Sequence, residues 1–181
     1  MHTAPTPAFV DPAMVVDQLD VKAGDTVADF GCGSGFFSFE FAKRVGAAGV
    51  VYAFDVMSSA LEVVASQAKM INVTNITTKR VNLEQENGSG LPTHSVDWVV
   101  TKDILFQNKN KQVIIQEVAR VLKPGGQAVF MEWKPNESLV GPDQALRISP
   151  QELRVLIEAV GLTVVKELNV GGFHHALLVK K

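Results

Sequence analysis

Apolar positions along this chain come in two rhythms. Runs such as Val27-Ala28-Asp29-Phe30, Val50-Val51-Tyr52-Ala53-Phe54 and Val129-Phe130-Met131 have the length and branching of strands covered on both faces. Strands are expected over Thr26–Phe30, 50–54, Ile76–Arg80, 96–100, 127–132, Thr163–Leu168 and 176–180. Between them the spacing turns helical. Asp11-Pro12 opens a first helix, the aspartate capping and the proline occupying a position that needs no N–H, with Val15, Val16 and Leu19 as its buried stripe. Further helices are expected over Phe36–Val45, from a Ser58-Ser59 cap to Met70, over 111–122 with Pro124-Gly125-Gly126 ending it, and over 150–160 behind Ser149. Residues 84–92 read as an exposed loop, and 169–175 as the link between the last two strands.

Strands alternating with helices imply a mostly parallel sheet with helices on both faces. The short final link implies an antiparallel pair at one side, because a parallel pair needs a long crossover. The fold class is therefore α/β with three layers. The 181 residues make one domain without internal repeats, and residues 1–8, with Pro5 and Pro7, form a loose arm.

Candidate chemistry starts where the first strand ends. Asp29-Phe30-Gly31-Cys32-Gly33-Ser34-Gly35 runs a strand into an acid and then a glycine loop, which lets the chain turn tightly and lets a ligand approach main-chain atoms. The spacing is G-x-G-x-G, and Phe36 stands where the third glycine of a dinucleotide fingerprint would be. Asp29 would repel a pyrophosphate and attract a cation. S-adenosylmethionine, with its ammonium and sulfonium groups, fits; NAD and FAD fit poorly. About twenty residues further on, a second apolar strand ends in Asp55, suited to ribose hydroxyls.

These residues resemble motif I of the class I S-adenosylmethionine-dependent methyltransferases. Ser95-Val96-Asp97-Trp98-Val99-Val100 is similar to that family's fourth strand, and Val118-Ala119-Arg120-Val121-Leu122-Lys123-Pro124-Gly125-Gly126 to its turn before strand five. The run 117–133 looks most like the small ubiquinone/menaquinone-type C-methyltransferases. The resemblance implies a Rossmann-like methyltransferase fold and methyl transfer (EC 2.1.1.-) by in-line displacement, yielding S-adenosylhomocysteine. It implies a cofactor site of Asp29, Gly31, Cys32, Gly33, Gly35, Asp55, Val56, Asn82, Leu83, Thr101 and Lys102, with Asn82 and Leu83 near the adenine. The acceptor pocket is expected from Phe9, Phe106, Glu132, Trp133 and Phe173, with His174 or Asp103 taking a proton. Positioning supplies most of the catalysis, since an aligned pair is worth about 7–11 kcal/mol.

Each residue also has a plainer role. Asp55 can cap a turn, Asn82 can close one, Cys32 can be a small loop residue, and Trp133 and Phe106 can be core or lid. His174 and His175 are neighbours on a strand and face opposite sides, which argues against a metal.

Composition adds exclusions. Apolar residues are 46%, charged ones 20% and the net charge is -2, a balance that argues against general nucleic-acid binding. Thr101-Lys102-Asp103-Ile104 lacks the D/N-P-P-Y/F motif of amino-methylating nucleic-acid enzymes, and the single Cys32 argues against thiol-dependent subclasses. No apolar run reaches the length of a bilayer span, and Met1-His2-Thr3-Ala4-Pro5 lacks signal-peptide features, so a cytoplasmic location is expected. The expected acceptor is a small molecule. The segment 134–147 is short and leaves little material for a lid, so the pocket is open or completed by a partner; a homodimer is compatible with this. The competing reading is a catalytically silent cofactor-binding module that regulates or scaffolds a partner.

Overall fold

The computed structural model describes residues 9–135 and 140–181. The expected arm at 1–8 and part of the short segment 134–147 lie outside them. In chain order the elements are α1 (Pro12–Val16), β1 (Thr26–Phe30), α2 (Phe36–Val45), β2 (Val50–Asp55), α3 (Ser58–Met70), β3 (Ile76–Arg80), β4 (Val96–Lys102), α4 (Lys111–Val121), β5 (Leu122–Trp133), a 3-10 turn (Gln144–Leu146), α5 (Pro150–Glu158), β6 (Thr163–Leu168) and β7 (His174–Lys180).

The strands form one sheet in the order β3-β2-β1-β4-β5-β7-β6. All neighbours are parallel except β5–β7 and β6–β7, which are antiparallel. This is the Rossmann-like methyltransferase fold. The chain winds outward from β1 through β3 and then returns to place β4 on the other side of β1, so a crevice opens beyond the carboxyl ends of β1 and β4.

Strand alternation divides the core. Val27, Val51, Trp98, Val129 and Leu178 pack with Val15 and Val16 of α1 and with Phe37, Phe41 and Val45 of α2, and α3 completes that face through Leu61 and Val64. On the other face Ala28, Phe30, Val99, Phe130 and Leu177 meet Ile114, Ile115 and Val118 of α4 and Leu153 and Ile157 of α5. Helix starts follow local chemistry. Asp11 Oδ1 accepts the Ala13 N–H at 3.0 Å, and Ser149 and Glu152 form a reciprocal capping box at α5.

Several boundaries differ from expectation. α3 is preceded by Met57 rather than a serine cap, and the Met57 N–H is taken by Asp55 Oδ1 at 2.9 Å. α4 passes directly into β5 at Leu122, so Pro124-Gly125-Gly126 lies inside a strand. Leu122 pairs with Val96, and Gly125 and Gly126 exchange hydrogen bonds with Lys181, so the sheet claims these residues before any loop forms. β4 extends to Lys102. β7 begins at His174, because Trp133 pairs with His174 and Glu132 with His175.

Candidate functional site

A cleft of about 410 Å³ opens at the topological crevice. Gly31 and Gly33 form one side, Asp55, Asn82 and Leu83 the floor and far end, and Lys102, Ile104 and Asn108 the opposite wall. A larger groove of about 530 Å³ lies beside Leu146, Gln151 and Val155, and none of the glycine-loop residues lines it.

The glycine loop owes its shape to two different constraints. Gly31 has φ +77°, and an added Cβ would stand 2.2 Å from Ile104 Cγ2, so a side chain is excluded by the opposite wall. Gly33 has φ +51°, yet a Cβ there would meet nothing within 4 Å. That empty space lies in the cleft, where a ligand can come against the main chain. Gly35 caps α2 in a left-handed conformation, and its missing side chain lets Val64 and Phe39 close in.

Asp55 ends β2 and accepts the Gly33 N–H on Oδ2 at 3.0 Å and the Met57 N–H on Oδ1 at 2.9 Å. Its oxygens keep further lone pairs for ligand hydroxyls. Asn82 Oδ1 accepts the Glu84 N–H at 3.0 Å, so the NH₂ group is what Asn82 offers to a ligand. This set fits a nucleoside: an acid for ribose, an amide for a base edge, and apolar Leu83, Val81 and Ile104 for a ring.

Other expected cofactor residues stand behind the cleft rather than in its lining. Asp29 is 3% exposed and accepts the Ser38 hydroxyl at 2.6 Å. Burial pushes its carboxyl up to about 7, against the lowering effect of Ser38. Asp29 thus stands behind the glycine loop and does not line the cleft. Thr101 is buried, with Oγ1 near the Val129 carbonyl. Cys32 is buried too, and burial raises its thiol far above the ordinary range, so it is inert packing in the loop. Val56 and Met57 are exposed at the rim.

Beyond Lys102 a second cluster forms. Asp103 sits at φ +57°, a strained position for a residue with a Cβ. Lys102 Nζ contacts Asp103 Oδ2, and His174 Nε2 lies 3.0 Å from Oδ1 and 3.2 Å from Oδ2. The His174 side chain is 1% exposed and Asp103 19%. The expected alternatives for taking a proton are thus joined as a pair, of which Asp103 is the more exposed member.

Two residues expected in the acceptor pocket make contacts within the protein. Glu132 is fully buried, and its carboxylate accepts the Leu105 N–H at 2.8 Å and the Phe106 N–H at 3.4 Å, so it is a tie inside the protein. Trp133 packs its ring 4.2 Å from that of His174, under Gly141 and 5.9 Å from the Arg147 guanidinium, and so serves as a backing for His174. Phe9 and Phe173 pair at 5.4 Å. Phe106 follows the same turn as Asp103. His175 points to the other face, with Nε2 2.9 Å from the Ile148 carbonyl oxygen. Among the described residues, no three His, Cys, Asp or Glu side chains converge for a metal.

The wall formed by Ile104, Gln107 and Asn108 was not anticipated. Its signal was the switch from Ile104-Leu105-Phe106 to the polar run Gln107-Asn108-Lys109-Asn110 just past a parallel strand.

Comparison with known proteins agrees with this geometry. A family model described as a methyltransferase domain matches residues 21–154. The chain belongs to the class I S-adenosylmethionine-dependent methyltransferases. S-adenosylmethionine is accordingly its cofactor. The ubiquinone/menaquinone biosynthesis C-methyltransferase UbiE of Haemophilus ducreyi is 32% identical over 120 residues, 65% of this chain and 45% of that one. The demethylmenaquinone methyltransferase of Oceanobacillus iheyensis is 30% identical over 130 residues, 71% of this chain and 52% of that one. The matched segment spans about half the length of these relatives. A crystal structure of a SAM dependent methyltransferase from Aquifex aeolicus superposes with a TM-score of 0.86 at 25% identity, covering 95% of this chain and 90% of that chain. No helix among the described residues is long and apolar enough to cross a membrane.

Proposed function

We propose that this protein transfers a methyl group from S-adenosylmethionine to a small aromatic molecule, with Asp103 receiving the proton that the acceptor loses. The observation that carries the reading is the continuity of two sites: Lys102 and Ile104 line the nucleoside cleft, and Asp103, the residue between them, pairs with His174. The relatives named for quinone biosynthesis support an aromatic acceptor.

The cofactor supplies an activated methyl group on a positively charged leaving sulfur. The protein's own part is placement. Gly33 gives main-chain access, Asp55 orients hydroxyls, and the buried Asp29 charge favours a cationic ligand in the cleft. Lys102 and His174 hold Asp103 in one orientation, so that its carboxylate meets the acceptor's proton without reorganising. The Trp133 ring keeps His174 from turning.

Calorimetric titration with S-adenosylmethionine, S-adenosylhomocysteine and NADH tests the cofactor half of the reading. Micromolar binding of the sulfur ligands alone supports it. Methyl transfer to a panel of phenols and hydroquinones tests the other half. Tight binding without turnover across that panel would favour a silent cofactor-binding module.

A further inference from the structure

Glu132 presents a carboxylate that the reaction does not use directly and that no solvent reaches. It lies one residue before the end of β5 on the α4–α5 face of the sheet, pairs with His175, and spends its oxygens on the amides of Leu105 and Phe106. Those amides belong to the turn that walls the cofactor cleft. Ile104, one residue earlier, is the side chain that stands against Gly31. Two side chains bond within the turn: Gln107 Nε2 donates to the Asp103 carbonyl and Asn108 Nδ2 to that of Ile104. The main-chain tie from the Asp103 N–H to the Met131 carbonyl fixes the turn's start, and Glu132 is the side chain that fixes its middle to the sheet.

We propose that Glu132 is a positioning residue for the cofactor: by holding the Leu105 and Phe106 amides it seats Ile104 against Gly31, and its ionised form sets the width of the cleft for S-adenosyl ligands. The proposal rests on the methyltransferase reading of that cleft. A carboxylate accepts both N–H groups, whereas a carboxylic acid turns one oxygen into a donor that faces an amide. Burial pushes Glu132 up to about 7, with Asp103 adding to the rise and the two amides opposing it. The charged and titratable groups around it are Asp103 on the turn, His175 across the strand pair, and Lys111 at the start of α4 with its ammonium on the Asn108 carbonyl. Lys102 and His174 engage Asp103 on the opposite face, and Arg147 engages the Lys134 and Pro142 carbonyls. Raising the pH through 7 therefore tightens the turn.

Amide NMR on the ligand-free protein, followed by calorimetry, tests this. In wild type, the Gly31, Leu105 and Phe106 resonances should share one midpoint near neutrality, and Glu132→Gln should abolish that shared transition. Affinity for S-adenosylhomocysteine should rise with pH, and Glu132→Gln should remove about tenfold of the rise between pH 6 and pH 8, the ratio of ionised fractions for a group near 7. Asp29 keeps its own share in both proteins. Independent titration of Gly31 and the two turn amides in wild type overturns the proposal, and so does unaltered affinity and pH dependence in Glu132→Gln. If that variant does not fold, the wild-type amide titration decides alone. A wild type that binds no S-adenosyl ligand at any pH sinks the cofactor reading itself, an outcome distinct from wild-type binding with an indifferent Glu132→Gln.

Discussion

His174 and Asp103 lie 71 positions apart in sequence and meet with Nε2 3.0 Å from the nearer carboxylate oxygen. The strand β7 delivers the imidazole, and the strained residue after β4 delivers the acid. Because His174 has almost no exposed surface, substitution there reaches an acceptor only through Asp103. Asp103→Asn should lower kcat by about 100- to 10,000-fold, the usual contribution of a proton-transferring group. His174→Asn should lower it less and shift the pH–rate profile. Both should leave S-adenosylhomocysteine affinity little changed, as steady-state kinetics and calorimetry on the same preparations will check.

The two glycines that face the cleft should fail differently. Gly31→Ala drives a methyl into Ile104 in a left-handed backbone and should cost about 2–4 kcal/mol of stability. Gly33→Ala carries only the backbone penalty of about 1–2 kcal/mol, but it fills the space open to a ligand. Thermal melts with and without S-adenosylhomocysteine separate the two: Gly31→Ala melts low in both, and Gly33→Ala loses most of the ligand-induced rise.

Asp29 and Asp55 should weaken cofactor binding by separate routes. Replacing Asp55 with Ala removes direct hydrogen-bond acceptors and the prop under Gly33, while Asp29→Ala removes a buried charge. Each should lose about tenfold or more in affinity, in line with one charged hydrogen bond. Wild-type affinity in both, measured by calorimetry, would discredit the site.

Asp29 also makes stability depend on pH in an uncommon direction. Its folded value, about 7, lies above the unfolded one near 3.8, so the folded state holds the proton more tightly. The contribution is full below 3.8, declines as pH rises towards 7 and is constant above. Asp29→Asn should therefore stabilise the protein at pH 8 by roughly 1–4 kcal/mol and much less at pH 4, in urea melts.

Glu117 should behave in the opposite sense. Burial works to raise its carboxyl, but bonds from Arg120 and from the Ser89 hydroxyl and amide overcome it and hold the value below the usual one. Its contribution is present above the unfolded value and is lost as pH falls through the folded one. Arg120→Ala strands a carboxylate that is 3% exposed and should cost about 3–5 kcal/mol at pH 7, with a smaller penalty in acid, where Glu117 can protonate.

Much of this was legible from local chemistry. The strand ends carrying Asp29 and Asp55, the glycine loop, and α2 over Phe36–Val45 follow from apolar runs, glycine placement and caps, which act over a few residues. The antiparallel β7 followed from a link too short for a crossover. What sequence concealed was set by distant partners. Glu132 and Trp133 look alike as residues past a strand, and only their partners, two amides for one and an imidazole for the other, separate a tie from a backing. Pro124-Gly125-Gly126 carries turn chemistry, yet pairing with β4 and with Lys181 draws it into a strand.

The β5–β7 pairing has an evolutionary corollary. Glu132 and His175 share one side of the ribbon, Trp133 and His174 the other. On the functions proposed above, consecutive residues therefore serve different ends: Glu132 ties down the turn that walls the cofactor cleft, while Trp133 and His174 stand behind Asp103. A single-residue insertion in either strand would exchange the two sides and undo both arrangements at once.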